Sequence, residues 1–166
     1  NDSPEPRRSI MSEPVRIPHF IQGQRTNGVG EHTSPVFNPA TGGQTGVLGL
    51  AAQADVDAAV AAAKAAFPAW AATSPSRRAR VMFKLRELIE ANASQLAAQI
   101  TAEHGKTHSD ALGEVARGLE VVEFASGIPQ LLKGEFTENV GGGIDAHSFR
   151  QPLGVVAGVT PFNFPA

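Results

Sequence analysis

The chain has 166 residues, of which 42% are hydrophobic and 18% charged, and its formal net charge is −2. This composition suits a globular domain or part of one, and it lacks the concentrated basic face of a nucleic-acid binder. It contains no cysteine, which excludes disulfides, thiolate metal sites and thiol chemistry carried by these residues alone.

The opening stretch Asn1–Arg16 holds Pro4, Pro6, Pro14, Arg7, Arg8 and Arg16, without the apolar run of a secretory signal. Its acidic residues Asp2, Glu5 and Glu13 argue against an organellar presequence. Residues 1–16 are expected to form a disordered leader, with Met11 as an alternative start. The expected compartment is the cytoplasm, with the mitochondrial matrix as the alternative. The longest mainly apolar stretch, Val56–Phe67, is broken by Asp57 and Lys64 and is too short to span a bilayer. Neither a membrane nor a nucleic acid is an expected partner.

His19–Gln24 reads as a short strand and turn, and Gly28 and Gly30 extend the loop after it. Pro35–Gly43 begins as a strand and ends as a turn, and its prolines predict a sheet edge. Gln44–Leu50 is the expected returning strand of a hairpin. From Asp55 the period becomes helical: Val56, Ala59, Val60, Ala63 and Phe67 form one apolar stripe that Pro68 should stop or kink. Ser74-Pro75 opens a second helix as N-cap and first helical residue. Val81, Leu85, Leu88 and Ile89 are its expected buried stripe. Ala93–His104 is a third helix, ended by Gly105. Thr107–Leu132 is a fourth, with Ala111, Val115, Leu119, Val122 and Ala125 inward, terminated by Gly134.

Gly141–Gly143 reads as a flexible turn and Ile144–Arg150 as a strand. The run Gly154–Val159 has the pattern of a strand buried on both faces. It leads into Thr160-Pro161-Phe162-Asn163-Phe164-Pro165-Ala166, where open α/β sheets bind ligands. A buried strand needs neighbours on both sides, so the segment is expected to be part of a larger α/β protein.

Several short motifs occur in one order along the chain. They are Phe37-Asn38-Pro39-Ala40-Thr41-Gly42, Asp55–Val60, Phe67-Pro68-Ala69-Trp70, Glu103-His104-Gly105-Lys106-Thr107, Gly113–Gly118 and Thr160–Pro165. With them the chain, from about His19 to Ala166, resembles the N-terminal part of an aldehyde dehydrogenase. Phe162, at a place where many hydrolytic members carry Trp, and Gly113–Gly118 followed by Val122–Ala125, resemble the CoA-acylating methylmalonate-semialdehyde subgroup.

The resemblance implies an α/β aldehyde-dehydrogenase fold. Residues 17–140 would supply early strands and helices of a Rossmann-type NAD-binding domain. Residues 141–153 would be part of a β oligomerisation arm, and 154–166 the first strand of the central sheet with its loop. It implies NAD as cofactor, coenzyme A as co-substrate, a small semialdehyde substrate, and a homodimer or homotetramer.

Asn163 is implied as donor to the oxyanion formed when a thiolate attacks the aldehyde; the residue types alone also allow a turn-forming Asn between two prolines. Thr160 and Phe162 are implied at the NAD pocket, and Phe162 also fits simple core packing. Arg117 is implied to reach the substrate carboxylate; a surface pair with Glu114 or Glu120 is the other reading. His104 and His108 have metal-ligand spacing, but Gly105 intervenes and no third ligand is evident, so no metal is expected. Lys106 reads as a helix-end cation. The segment alone is expected to be inactive. Another aldehyde dehydrogenase, acting on succinate semialdehyde or an aliphatic aldehyde, and a non-catalytic oligomerisation fragment are the alternatives.

Overall fold

The computed structural model describes residues 13–166. Strand β1 (Val15–Ile17) runs parallel to β5 (Gln44–Gly49), which pairs antiparallel with β4 (Thr33–Phe37), giving the order β1-β5-β4. The expected hairpin and the edge position of the Pro35 strand are both present. The leader does not extend to residue 16, because Val15 and Ile17 have partners in Gly46 and Leu48. Residues 1–12 lie outside the described part.

Between β1 and β4, β2 (His19–Ile21) and β3 (Gln24–Thr26) form a second hairpin. Its two turn residues, Gln22 and Gly23, have φ of 54° and 76°, the paired positive values that match the twist of a tight hairpin.

The helices are α1 (Gln53–Ala72), α2 (Pro75–Ala91), α3 (Ala93–His104), α4 (His108–Ser126) and the single turn α5 (Ile128–Leu131). Helix α1 starts two residues before Asp55, which sits in its first turn and reaches back to accept a hydrogen bond from the Ala52 amide at 2.9 Å. The Asp55 carboxylate also accepts from the Val29 amide at 2.9 Å and so ties the preceding loop to the helix. Pro68 does not stop α1, which continues to Ala72. Pro75 occupies the first turn of α2 as expected, but the Ser74 hydroxyl makes no capping bond. The expected fourth helix is interrupted at Gly127. Pro129 lacks an N–H and its ring crowds the carbonyl four residues back, so a fresh turn begins with proline in its first positions.

Helix α4 packs against both α3 and α2. The core lies between α3 and α4, where Ala97 and Ala111 are each 0% exposed and Ile100 and Val115 are buried. Two alanines at the contact let the helix axes approach closely. Ile89, Ala93 and Leu96 pack at its margin. The α2 stripe departs from expectation: Val81, Leu85 and Leu88 are exposed, and Ala79 is the buried residue. Val56 and Val60 of α1 are exposed as well. These apolar residues have no covering element among the described residues.

Strands β6 (Phe136–Gly141) and β7 (Ile144–His147) form an antiparallel ribbon around the Gly142-Gly143 turn. The ribbon therefore starts before residue 141, and a domain boundary at 140/141 would cut through it. β7 ends at His147, three residues short of the expected strand. Gly134 does not end a helix. It allows close approach to Ser148, since a Cβ there would fall 1.8 Å from the Ser148 carbonyl oxygen. Adjacent bonds close the ribbon base, with the Ser148 amide donating to the Glu135 carbonyl at 2.8 Å.

Val155–Val159 forms no strand, in contrast to the sequence expectation. Val159 is 97% exposed. A strand exists only through a ladder with a neighbour, and no described strand runs beside this segment.

Candidate active-site turn

The end of α3 and the start of α4 build the support for the Thr160–Ala166 segment. Gly105 caps α3 in the left-handed conformation at φ 85°, which a residue with a side chain adopts at a cost. Two residues later, Thr107 caps α4, its hydroxyl accepting from the Asp110 amide at 3.2 Å. Lys106 is held between these two caps.

Among the described residues, the Lys106 ammonium makes no hydrogen bond to a carbonyl of α3. It lies 2.5 Å from Glu114 Oε2, donates to the Asn163 carbonyl at 2.8 Å, and sits 4.9 Å from the centre of the Phe164 ring. The other Glu114 oxygen accepts from the Ala166 amide at 2.9 Å. Glu114 is only 3% exposed. Burial works to raise its pKa, but the hydrogen bond from Lys106, the one from Ala166 and the Lys106 charge together leave it below the ordinary value. The buried charge is thus paired and bonded at both oxygens, the condition under which such a group is tolerated.

The segment turns at Pro161–Phe164, with the Phe164 amide donating to the Pro161 carbonyl at 3.2 Å. Phe162 and Asn163 occupy the two central positions. Thr160, Phe162 and Asn163 are all exposed, Phe162 at 91%. The Asn163 side-chain amide takes part in no hydrogen bond among the described residues; only its backbone carbonyl is engaged. Both readings of Asn163 are therefore compatible, since it forms a turn and its amide stays available. Beside the turn is a cleft of about 420 Å³, lined by Val36, Leu96, Ile100, His104, Phe162 and Pro165 among others.

Arg117 lies on α4 three residues beyond Glu114, exposed, and enters no ion pair among the described residues. The pairing with Glu114 allowed by the sequence does not occur, because Lys106 occupies that carboxylate. Thr160, Phe162 and Asn163 are brought together on one turn; Arg117 is joined to them only through the helix that anchors the segment. His104 and His108 end up on different helices, with His108 Nε2 at 3.3 Å from the Ser94 carbonyl oxygen. Among the described residues no group of three His, Cys, Asp or Glu is arranged to hold a metal, and no helix is long and apolar enough to cross a membrane.

Sequence reasoning missed the Lys106–Glu114 pair. A signal was present: Glu114 is three residues from Ala111 and adjacent to Val115, on the helix face that buries both. A carboxylate at such a position requires a partner.

The sequence pattern of the aldehyde dehydrogenase family matches residues 26–166. The chain belongs to the aldehyde dehydrogenase family. It is 48% identical over 148 residues to a malonate-semialdehyde dehydrogenase of Pseudomonas aeruginosa, covering 89% of this chain and 30% of that protein. It is 45% identical to the mitochondrial acylating methylmalonate-semialdehyde dehydrogenase of Arabidopsis thaliana, covering 99% of this chain and 27% of that protein. Among solved structures, a protein of Sinorhizobium meliloti described as a methylmalonate-semialdehyde dehydrogenase, complexed with NAD, aligns with a TM-score of 0.88 at 54% identity. That alignment covers 93% of this chain and 31% of the other. The fold is therefore α/β and aldehyde-dehydrogenase-like. This aldehyde dehydrogenase segment spans about a third of the length of these relatives.

Proposed function

We propose that this segment is the N-terminal part of an NAD-dependent, CoA-acylating malonate- or methylmalonate-semialdehyde dehydrogenase. The observation that carries the reading is the high identity to relatives named for these two substrates. Identity falls to 30% against the lactaldehyde dehydrogenase of Escherichia coli, although the TM-score stays at 0.83. Fold alone does not discriminate substrates, so the reading rests on the sequence identity.

In this reading a thiolate attacks the semialdehyde carbon, and the carbonyl oxygen gains negative charge. Asn163 supplies its side-chain amide to that oxygen. A donor held in place before charge develops is worth about 3–4 kcal/mol of barrier. The exposed, unengaged amide on a tied-down turn supports this role. Arg117 holds the substrate carboxylate through paired hydrogen bonds, and its freedom from an ion pair among the described residues supports that role. Thr160 and Phe162 form part of the NAD pocket; both are exposed on the same turn as Asn163, which fits one wall of such a pocket. NAD, when bound, supplies the hydride acceptor. Coenzyme A then takes the acyl group from the resulting enzyme thioester, with loss of the substrate carboxylate as carbon dioxide.

These 166 residues contain no cysteine, so the thiolate must come from residues outside them, and the segment by itself is inactive. The β6–β7 ribbon, solvent-exposed along nearly its whole length, serves as part of an oligomerisation arm in a dimer or tetramer. A two-stranded ribbon is marginal alone, and pairing with a second copy stabilises it. We place the protein in the cytoplasm.

The deciding experiment assays the full-length protein with malonate and methylmalonate semialdehydes, with and without coenzyme A. Acyl-CoA formation that depends on coenzyme A is expected. Release of free acid without it, or a preference for aldehydes lacking a carboxylate, overturns the reading.

A further inference from the structure

We infer that Lys106 and Glu114 are positioning residues that hold the Asn163 turn in its working place; this rests on the oxyanion role proposed for Asn163. Three contacts converge on the turn from one buried ion pair. Lys106 donates to the backbone carbonyl of Asn163 itself. It also covers the ring of Phe164, the next residue. Glu114 fixes Lys106 with one oxygen and the Ala166 amide with the other. The turn is thus gripped at Asn163, Phe164 and Ala166.

Among the described residues, the grip is the main restraint on this part of the chain. Leu153, Val156, Val159 and Phe162 are highly exposed, and no strand ladder restrains 154–159 among the described residues. Within the described residues, the turn's own internal restraint is the Phe164 to Pro161 bond. The carbonyl that Lys106 binds and the side chain that would donate to the oxyanion belong to the same residue. Displacing the carbonyl therefore displaces the donor.

The two anchors are themselves well fixed. Lys106 lies between the Gly105 cap of α3 and the Thr107 cap of α4. Glu114 sits on the α4 face that packs in the core with Ala111 and Val115. Position is transmitted from the α3–α4 core to Asn163 through a pair of charges with little solvent to weaken them. Neither residue is proposed to touch the aldehyde.

The test is a double-mutant cycle in the full-length enzyme, read as kcat and KM by NADH formation. Asn163→Ala is expected to lower kcat about 10²–10³-fold. Lys106→Met is expected to lower kcat about 10²-fold by misplacing the donor, with the KM values nearly unchanged. The combined variant should be no slower than Asn163→Ala alone, since Lys106 acts only through that residue.

Independent, multiplicative losses overturn the positioning role, as does full activity of Lys106→Met. Either result leaves the oxyanion reading intact if Asn163→Ala is slow. Full activity of Asn163→Ala overturns the oxyanion reading and this inference with it. Should Lys106→Met fail to fold, Glu114→Gln carries the same cycle. It keeps an acceptor for the Ala166 amide and removes the charge that holds Lys106.

Discussion

Gly105 offers a quantitative test of how the α3 terminus is built. Replacing it with alanine forces a residue with a Cβ to adopt φ 85°, at a cost of about 1–2 kcal/mol. The new Cβ would also lie 2.9 Å from Pro39 Cγ. Pro39 sits in the exposed turn between β4 and β5, where it can shift, so this overpacking adds about 1 kcal/mol, the low end of its range. The stiffer unfolded chain of the variant returns about 0.4–1 kcal/mol. The net expectation is a destabilisation of about 2 kcal/mol, read from urea unfolding of the full-length protein at unchanged m-value. Removing Cγ by Pro39→Ala leaves only the 3.5 Å contact with Pro39 Cβ, so the double variant should be about 1 kcal/mol more stable than the sum of the singles predicts. A cost for Gly105→Ala below about 0.5 kcal/mol would refute both the strain and the contact.

Other measurements address the core, the substrate and pH. Ile100→Ala should cost about 2–5 kcal/mol in the same unfolding assay, towards the upper end, because neighbouring Ala97 and Ala111 have no side-chain length with which to close the gap. Arg117→Ala should raise KM for a carboxylated semialdehyde by about 10–100-fold and leave turnover of an uncharged aliphatic aldehyde unaltered; equal losses on both would remove Arg117 from substrate recognition. The hydrogen bond from the Ala52 amide, then that from Val29 and the nearby His19, hold Asp55 below its ordinary pKa of 3.8 despite burial. A depressed carboxylate contributes stability above its unfolded value and loses it as pH falls through the folded one. The stability gap between the native chain and Asp55→Asn should therefore be full at neutral pH and shrink below about pH 4; a gap that widens in acid would contradict the assignment.

Much of the local structure was legible from residue order. The β4–β5 hairpin, the edge position of Pro35, the opening of α2 at Pro75 and the left-handed cap at Gly105 follow from backbone chemistry that acts within a few residues. The motif series from Phe37 to Pro165 was enough to place the chain in its family. Less legible was anything that depends on what lies opposite. Val81, Leu85 and Leu88 carry the right period for burial, yet nothing among the described residues covers them. Val155–Val159 has the composition of a buried strand, yet no ladder forms. Pro68 and Pro129 share one chemistry, but α1 runs through the first and the helix restarts at the second.

The candidate site divides in the same way. The resemblance of the motifs to one family singled out Thr160, Phe162, Asn163 and Arg117; residue identity alone also allowed a turn-forming Asn, a packed Phe and a surface Arg. Lys106 and Glu114 are eight residues apart in sequence, and Asn163 is far from both. Only the packing of α3 on α4 brings the two charges together beneath the turn, and only their burial makes the pairing obligatory. The sequence determined which groups are available and the bends that local backbone chemistry requires. The tertiary structure decided which charges meet and which backbone carbonyl they hold, because electrostatic pairing depends on distance and solvent exclusion, and neither is written in residue order.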